Sequence, residues 1–180
     1  ISNIDTSKYD VNVISKNSNF IYTPLLSHNI YNNYELTENI LNVNNKINFI
    51  NDEVIDLSVN DSEIITKRGK IKYNKIIFSH GMTINTFGIK GVDKFCYFLR
   101  NNEDAKILKK KINVLKDNSN IAVIGTNLTG AEVVGNLIDY NKFNINAIDG
   151  EDLPLKNFDK NIKNLVINFW KKKRSQLYIF

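Results

Sequence analysis

The sequence is poor in the residues that build covalent or metal-linked sites. Among 180 residues it has one cysteine, Cys96, and two histidines, His28 and His80. A disulfide framework and a dithiol redox pair within this chain are therefore excluded. The single cysteine is interpreted as a small buried hydrophobe, and two histidines far apart in sequence predict no metal site.

The sequence also lacks a long hydrophobic run. No stretch of 18 apolar residues is present, so no membrane-spanning helix is predicted. No secretory or transit signal is recognisable, and because the chain starts at Ile1 rather than at a methionine we expect the true beginning to lie elsewhere.

Charge does not indicate a nucleic-acid partner. The net charge is +5, but the basic clusters Lys109–Lys111 and Lys171–Arg174 lie on helical patterns and are interpreted as solvated faces. Basic and aromatic residues do not interleave as they do in a nucleic-acid platform. The sequence therefore predicts no nucleic-acid binding.

The most informative motif lies between Asn120 and Glu132, where an apolar run breaks at a glycine and a helical pattern follows. Gly125 permits a tight turn, and Gly130 lets the helix, predicted over Thr129–Tyr140, pack close to its strand. The free amides of such a helix attract a phosphate. Asn127 replaces the second glycine of G-x-G-x-x-G; it tolerates a left-handed backbone but crowds the phosphate approach.

A second predicted strand, Phe143–Ile148, ends in Asp149. An acidic residue about 20 positions beyond a glycine turn binds the ribose hydroxyls of NAD. Because no arginine is adjacent, NAD(H) is favoured over NADP(H). The alternative is a βαβ unit that has a glycine-bearing turn and no nucleotide.

Periodicity predicts the other elements. Pro24 prevents a continuous helix in the loop Phe20–Leu26, and Lys116–Ser119 is the predicted linker. Ligands gather at the carboxyl ends of strands in a doubly wound sheet, which places Ser79, His80 and Gly81 near a cofactor. The predicted elements are a strand Tyr9–Ser15, an antiparallel meander Ile47–Tyr73, a buried strand Lys75–Gly81, helices Asn102–Leu115 and Asn157–Lys172, and a strand start Leu177–Phe180 cut off at the terminus.

Several segments occur in the order seen in type II NADH dehydrogenases, and the chain resembles that family over nearly its whole length. These enzymes are single-chain flavoenzymes with two dinucleotide-binding domains. The resembling segments are Tyr9–Ser15, Phe20–Leu26, Ile76–Gly81, Asn85–Ile89 and Gly125–Glu132.

The resemblance implies an α/β, three-layer Rossmann-like FAD/NAD(P)-binding fold. Residues 1–116 resemble a partial FAD-binding domain with a small antiparallel meander and without its first strand and phosphate loop. Residues 117–180 resemble the front part of the NAD-binding domain.

The resemblance also implies roles for individual residues. Ser15, Lys16 and Val54 would contact the flavin adenosine. Thr23, Pro24, Ser79, His80 and Gly81 would approach the flavin. Residues Gly125, Thr126, Asn127, Leu128, Thr129 and Gly130 would hold the NADH pyrophosphate. Asp149 would bind the adenosine ribose, and Glu132 would lie near the nicotinamide and flavin rings as the catalytic residue, although a first-turn carboxylate favoured by the helix dipole explains it equally well.

The implied activity is hydride transfer from NADH to FAD, with electrons passed to a membrane quinone. The resemblance also implies peripheral attachment to the mitochondrial inner membrane, or to the plasma membrane in a prokaryote, through regions outside this chain. It further implies a homodimer. Two related activities are alternatives. A sulfide:quinone reductase would need redox cysteines. A ferredoxin-type reductase would not be expected to contain the segments Thr23–Leu26 and Asn85–Gly88 together. The non-enzymatic alternative is a degenerate nucleotide-binding remnant.

Overall fold

The computed structural model describes residues 3–81, 83–173 and 176–179. Arg174 and Phe180, which belong to elements predicted above, lie outside the described residues. The chain divides into two compact units. The first comprises Ile1–Tyr22 and Leu36–Cys96, and the second comprises Thr23–Glu35 and Tyr97–Phe180. The assignment of residues 1–116 to flavin and 117–180 to NAD is a division by function, and it stays a prediction.

The first unit is built mainly of short strands in three small sheets. Its elements are β1 (Asn12–Ser15), β2 (Asn19–Ile21), β3 (Thr37–Asn39), α1 (Ile40–Val43), β4 (Asn48–Asn51), β5 (Val54–Ser58), β6 (Glu63–Thr66), β7 (Lys70–Lys72) and α2 (Val92–Phe95). Strands β5, β6 and β7 form an antiparallel meander, which confirms the predicted meander from Val54 onward.

The first segment of the predicted meander is placed wrongly. Strand β4 pairs in parallel with β1, and Asn48 lies opposite Asn12. Alternating apolar residues identify a half-buried strand, but they do not identify its partner. The pairing of β1 with β4 places the ends of both strands, Ser15 and Asn51, side by side.

The strand predicted over Lys75–Gly81 is also wrong. These residues form no strand, and Ile77 is 82% and Phe78 59% exposed. A strand is stable only when a neighbour takes up its backbone hydrogen bonds. None of the strands within the described ranges pairs with this run, so Ile77 and Phe78 remain at the surface.

The second unit alternates helices with parallel strands. Its elements are the 3₁₀ turns Thr23–Leu25 and His28–Ile30, then α3 (Asn102–Asn113), β8 (Asn120–Ile124), α4 (Leu128–Asp139), β9 (Asn144–Asp149), α5 (Lys160–Lys172) and β10 (Gln176–Ile179). The strand order is β10-β9-β8, all parallel. This is the 3-2-1 order of half of a dinucleotide-binding sheet.

Local capping sets where the helices begin. The Asn101 side chain accepts a hydrogen bond from the Asp104 amide at 2.9 Å and starts α3. The Asp159 side chain accepts from the Asn161 amide at 2.8 Å, so α5 begins three residues later than the predicted Asn157. Such caps satisfy amides that have no partner within the helix.

The core of the second unit lies between its sheet and helices. It is formed by side chains that are less than a tenth exposed and come from every layer: Ile30, Ile112, Val134, Leu137, Ile138, Ile145, Ala147 and Trp170. Burying such side chains contributes about 1.5–3 kcal/mol each. The core thus fixes α4 against β8 and β9, the two strands that flank the glycine turn.

Candidate functional site

The glycine turn joins the end of β8 to the start of α4. Gly125 has a φ of +86°, in the left-handed region that favours glycine. Its amide donates to the Ile148 carbonyl of β9 at 2.8 Å. The turn is therefore anchored to the neighbouring strand, and the first glycine of the motif has the role predicted for it.

Gly130 lets the helix approach the turn closely. A Cβ placed on Gly130 would lie 1.8 Å from the Gly125 carbonyl oxygen and 2.9 Å from the Gly125 carbonyl carbon. No side chain fits at that distance from rigid backbone. The third glycine of the motif is thus required by packing between α4 and its own entry turn.

Asn127 is the N-cap of α4, but its backbone differs from our expectation. Its φ is −72° and its ψ is −171°, an extended conformation that any residue adopts, so a left-handed asparagine is not needed here. Its side chain makes no capping hydrogen bond and is exposed, as are Leu128 and Thr129. The first amides of a helix have no partner inside it, and together with the helix dipole they attract anions.

The Asp149 carboxylate, at the end of β9, closes the turn. Its Oδ2 accepts hydrogen bonds from the Thr126 amide and from the Thr126 hydroxyl, both at 2.5 Å. Its Oδ1 accepts from the Glu151 amide at 3.1 Å. Burial raises the pKa of Asp149, but the hydrogen bonds from Thr126, Glu151 and Gly150 outweigh it, and the pKa lies below its ordinary value. The carboxylate is ionised at neutral pH.

Glu132 lies in the second turn of α4, so its interpretation as a first-turn carboxylate is wrong. Its side chain contacts a residue that sequence reasoning missed. The Ser27 hydroxyl, in a side chain only 1% exposed, donates to Glu132 Oε2 at 3.2 Å. Ser27 Oγ also lies 3.4 Å from His28 Nδ1. Ser27 directly follows the Thr-Pro-Leu-Leu segment, but nothing in its residue type indicated a partner 105 positions away.

In the first unit, Ser15 and Lys16 at the end of β1 contact Asp52 and Glu53, the two residues that precede Val54 at the start of β5. The Asp52 amide donates to the Ser15 carbonyl at 3.2 Å. Glu53, which precedes Val54, pairs with Lys16 at 2.5 Å.

Glu53 is the second residue that sequence reasoning missed. Its other carboxylate oxygen lies 2.5 Å from Lys67 Nζ. The hydrogen bonds from Lys16 and Lys67 hold the pKa of Glu53 below its ordinary value. The Lys16 ammonium is thus partly neutralised beside Val54, and no sequence motif marked this ion pair.

The remaining predicted flavin-contacting residues are solvent-exposed. Ser79, His80 and Gly81 in the first unit are exposed, and so are Thr23 and Pro24 in the second. The rings of His80 and Phe78 are arranged edge to face, and their centroids lie 6.3 Å apart. These residues are accessible to a ligand.

The described ranges also bear on metal binding and on membrane insertion. No group of three or more histidine, cysteine, aspartate or glutamate side chains there could hold a metal ion. None of the helices in those ranges is long and apolar enough to cross a membrane.

The second unit fits a nucleotide pyrophosphate. A parallel strand, a left-handed glycine, free helix amides and a carboxylate at the next strand end are the parts of a dinucleotide-binding half-domain. The first unit has no strand, glycine turn and helix of this kind within its described residues. These features define an α/β protein of the dinucleotide-binding class.

The comparison with protein families makes this assignment specific. The chain matches the pyridine nucleotide-disulphide oxidoreductase family over residues 2–176, and it belongs to that family. The predicted α/β, FAD/NAD(P)-binding fold is confirmed.

Curated relatives have names that agree with the predicted resemblance. A probable NADH dehydrogenase of Dictyostelium discoideum is 24% identical over 94% of this chain and 47% of its own length. A type II NADH:quinone oxidoreductase of Staphylococcus haemolyticus is 25% identical over 69% of this chain and 37% of its own. A mitochondrial external alternative NAD(P)H-ubiquinone oxidoreductase of Solanum tuberosum is 24% identical over 78% and 30%.

A solved structure supports the same assignment. NDH2 from Plasmodium falciparum, in complex with NADH, superposes with a TM-score of 0.81 at 27% identity and covers 99% of this chain and 44% of that one. The resemblance to type II NADH dehydrogenases is thereby confirmed. The chain spans less than half the length of these relatives.

Proposed function

We propose that this chain is part of a FAD-dependent NADH:quinone oxidoreductase and supplies the pyrophosphate-binding turn for NADH. The observation that carries the proposal is the glycine turn, in which a left-handed Gly125 and a Gly130 without room for a Cβ bring the start of α4 to the end of β8. The names of the relatives support this activity.

Within this proposal the residues of the second unit bind and orient NADH. The amides that start α4, from Leu128 to Gly130, hold the pyrophosphate, because they are free to donate to an anion. The ionised Asp149 binds the adenosine ribose and disfavours a 2′-phosphate by charge repulsion. Glu132, held by Ser27, lies near the nicotinamide and flavin rings.

The first unit contributes to flavin binding. Ser15, Lys16 and Val54 contact the adenosine, and Ser79, His80 and Gly81 approach the flavin, as Thr23 and Pro24 do. When bound, the flavin accepts a hydride from NADH and passes electrons to a quinone. Division into a flavin portion, residues 1–116, and an NAD portion, residues 117–180, belongs to the same proposal.

The whole protein, in this proposal, is a homodimer that associates peripherally with the mitochondrial inner membrane through regions outside this chain. The name of the Solanum tuberosum relative, which includes the word mitochondrial, supports the mitochondrial location. Because another relative is bacterial, the plasma membrane takes the place of the inner membrane if the chain is prokaryotic. Localisation of the tagged protein by fractionation tests this: recovery in the matrix or cytosol without membrane would contradict it.

The nucleotide site is tested by titrating ADP-ribose and NADH against the chain and an Asn127→Gly variant. The Asn127 side chain stands exposed at the helix start without a capping bond, so its removal opens the phosphate approach. We expect the dissociation constant to fall by roughly threefold to tenfold, or up to about 1.4 kcal/mol. Adenosine, which lacks the pyrophosphate, is the control ligand and should bind both proteins equally.

Two outcomes would change the proposal. Equal affinity of both proteins for ADP-ribose would show that Asn127 does not crowd the phosphates. If neither protein bound either ligand, the alternative would be favoured, in which the chain is a degenerate remnant of a nucleotide-binding domain. Thr126 and Asn127 support this alternative, because the glycine loops of the family usually hold more glycines.

Quinone reduction is a separate test. With FAD added, the 180-residue chain should show no NADH-dependent quinone reductase activity, because its first unit has no phosphate-binding turn for the flavin within the described residues. Robust activity would overturn this expectation. A sulfide:quinone reductase would need redox cysteines, of which this chain could supply only Cys96.

A further inference from the structure

The Thr126 hydroxyl donates a hydrogen bond to the Asp149 carboxylate, the group that is proposed to bind the ribose. Thr126 Oγ1 donates to Asp149 Oδ2 at 2.5 Å, and the Thr126 amide donates to the same oxygen at 2.5 Å. The Thr126 side chain is 0% exposed. A glycine or alanine at position 126 would leave only the amide on this oxygen.

Counting acceptor positions shows how little of the carboxylate remains. A carboxylate has about four lone-pair positions. Thr126 fills both positions on Oδ2, and the Glu151 amide fills one on Oδ1 at 3.1 Å. The Gly150 amide also donates to this carboxylate. At most one position is left for a ribose, whose two adjacent hydroxyls bind best to two acceptors.

The Thr126 hydroxyl is the donor that a ribose must displace. The Thr126 and Glu151 amides are fixed by the backbone, whereas a hydroxyl can rotate. The Leu155 amide donates to the Thr126 carbonyl at 2.9 Å, and Pro154 beside it is fully buried. A displaced hydroxyl would therefore stay inside this covered turn, where an unpaired polar group is costly.

We infer that Thr126 is a specificity-determining residue whose hydroxyl competes with the adenosine ribose diol for Asp149. The turn then recognises its nucleotide mainly through the phosphates and gains little from the ribose. This inference rests on the proposed NADH site and adds to it a ligand preference set by one hydroxyl.

The test combines two variants with two ligands. Thr126→Ala removes the hydroxyl and keeps the amide, while Thr126→Ser keeps both and is the matched control. The ligands are NADH and its analogue with 2′-deoxyadenosine. The dissociation constants are measured by calorimetry with the full chain.

We expect Thr126→Ala to bind NADH roughly tenfold more tightly than the unaltered chain, the value of one hydrogen bond to a charged group. Thr126→Ser should match the unaltered chain. The 2′-deoxy analogue keeps only its 3′-hydroxyl and cannot place two hydroxyls on the carboxylate, so its affinity should gain clearly less than that of NADH in Thr126→Ala and should not change in Thr126→Ser.

A second readout does not depend on ligand. The pKa of Asp149, followed by carbon-13 NMR, should rise in Thr126→Ala and stay unchanged in Thr126→Ser, because the hydroxyl bond lowers it. Thermal melting confirms that both variants fold.

The inference would be overturned if Thr126→Ala changed the affinities for NADH and for the 2′-deoxy analogue by the same factor. It would also be overturned if Thr126→Ala bound NADH more weakly, because the hydroxyl would then be a positioning group. Either result leaves the proposed function intact. If neither ligand bound any of the three proteins, the proposed NADH site would fail and this inference with it.

Discussion

Replacing Gly130 with alanine should disrupt the junction of turn and helix. The added Cβ would lie 1.8 Å from the Gly125 carbonyl oxygen, whereas a close carbon to oxygen contact is about 3.3 Å. Helix α4 would have to withdraw by roughly 1.5 Å at this point to reach that contact. The contacting atom belongs to the backbone, so no side-chain rotation relieves the clash.

The withdrawal would disturb the core contacts of Val134, Leu137 and Ile138, which are 0%, 2% and 5% exposed. Overpacking costs about 1–3 kcal/mol in ordinary cores, and a backbone clash places Gly130→Ala at about 3 kcal/mol or more. Loss of ADP-ribose binding should accompany the loss of stability, because the helix amides move with the helix.

Gly135→Ala is the matched control on the same helix. A Cβ there meets no atom within 4 Å, so the substitution should stabilise the chain by about 0.5–1 kcal/mol through helix propensity. Urea unfolding followed by circular dichroism measures both variants. Free energies of unfolding that agree within about 0.5 kcal/mol for the two variants would refute the packing argument.

Three further predictions concern stability. The Asp149 carboxylate should stabilise the fold fully above its pKa in the unfolded chain, which is near 4, and this effect should be lost as the pH falls through its lower pKa in the folded chain. The melting temperature of Asp149→Asn should therefore depend less on pH in this range than that of the unaltered chain. Tyr31→Phe should be neutral or stabilising by about 1 kcal/mol, because the buried Tyr31 hydroxyl has no hydrogen-bond partner among the residues that the structure describes; a loss above 1 kcal/mol in urea unfolding would contradict this. Asn101→Ala should cost about 1 kcal/mol because its side chain caps α3, whereas Asn127→Ala should cost less than half of that, and equal losses would refute the comparison.

The glycine motif was predictable because its signal is the absence of a side chain. Gly130 marks a place where a Cβ cannot fit, and Gly125 a backbone with positive φ. The conformation of Asn127 was not predictable in the same way. A residue that tolerates a left-handed backbone does not have to adopt one, and here the turn keeps it extended.

Partners across long sequence distances were beyond prediction from residue patterns. Thr126 meets Asp149 because β8 and β9 pair in parallel, and Ser27 meets Glu132 across 105 positions. The partner of β4 was missed for the same reason, since alternation carries no information about which strand lies alongside.

Our proposal that the turn from Gly125 to Gly130 binds the pyrophosphate of NADH is tested by the amide NMR shifts of the chain during titration with ADP-ribose. We expect saturable shifts concentrated at the amides of Leu128, Thr129 and Gly130, with smaller ones beside Asp149. Saturable binding that leaves these amides unshifted, or no binding at millimolar ligand, would contradict it.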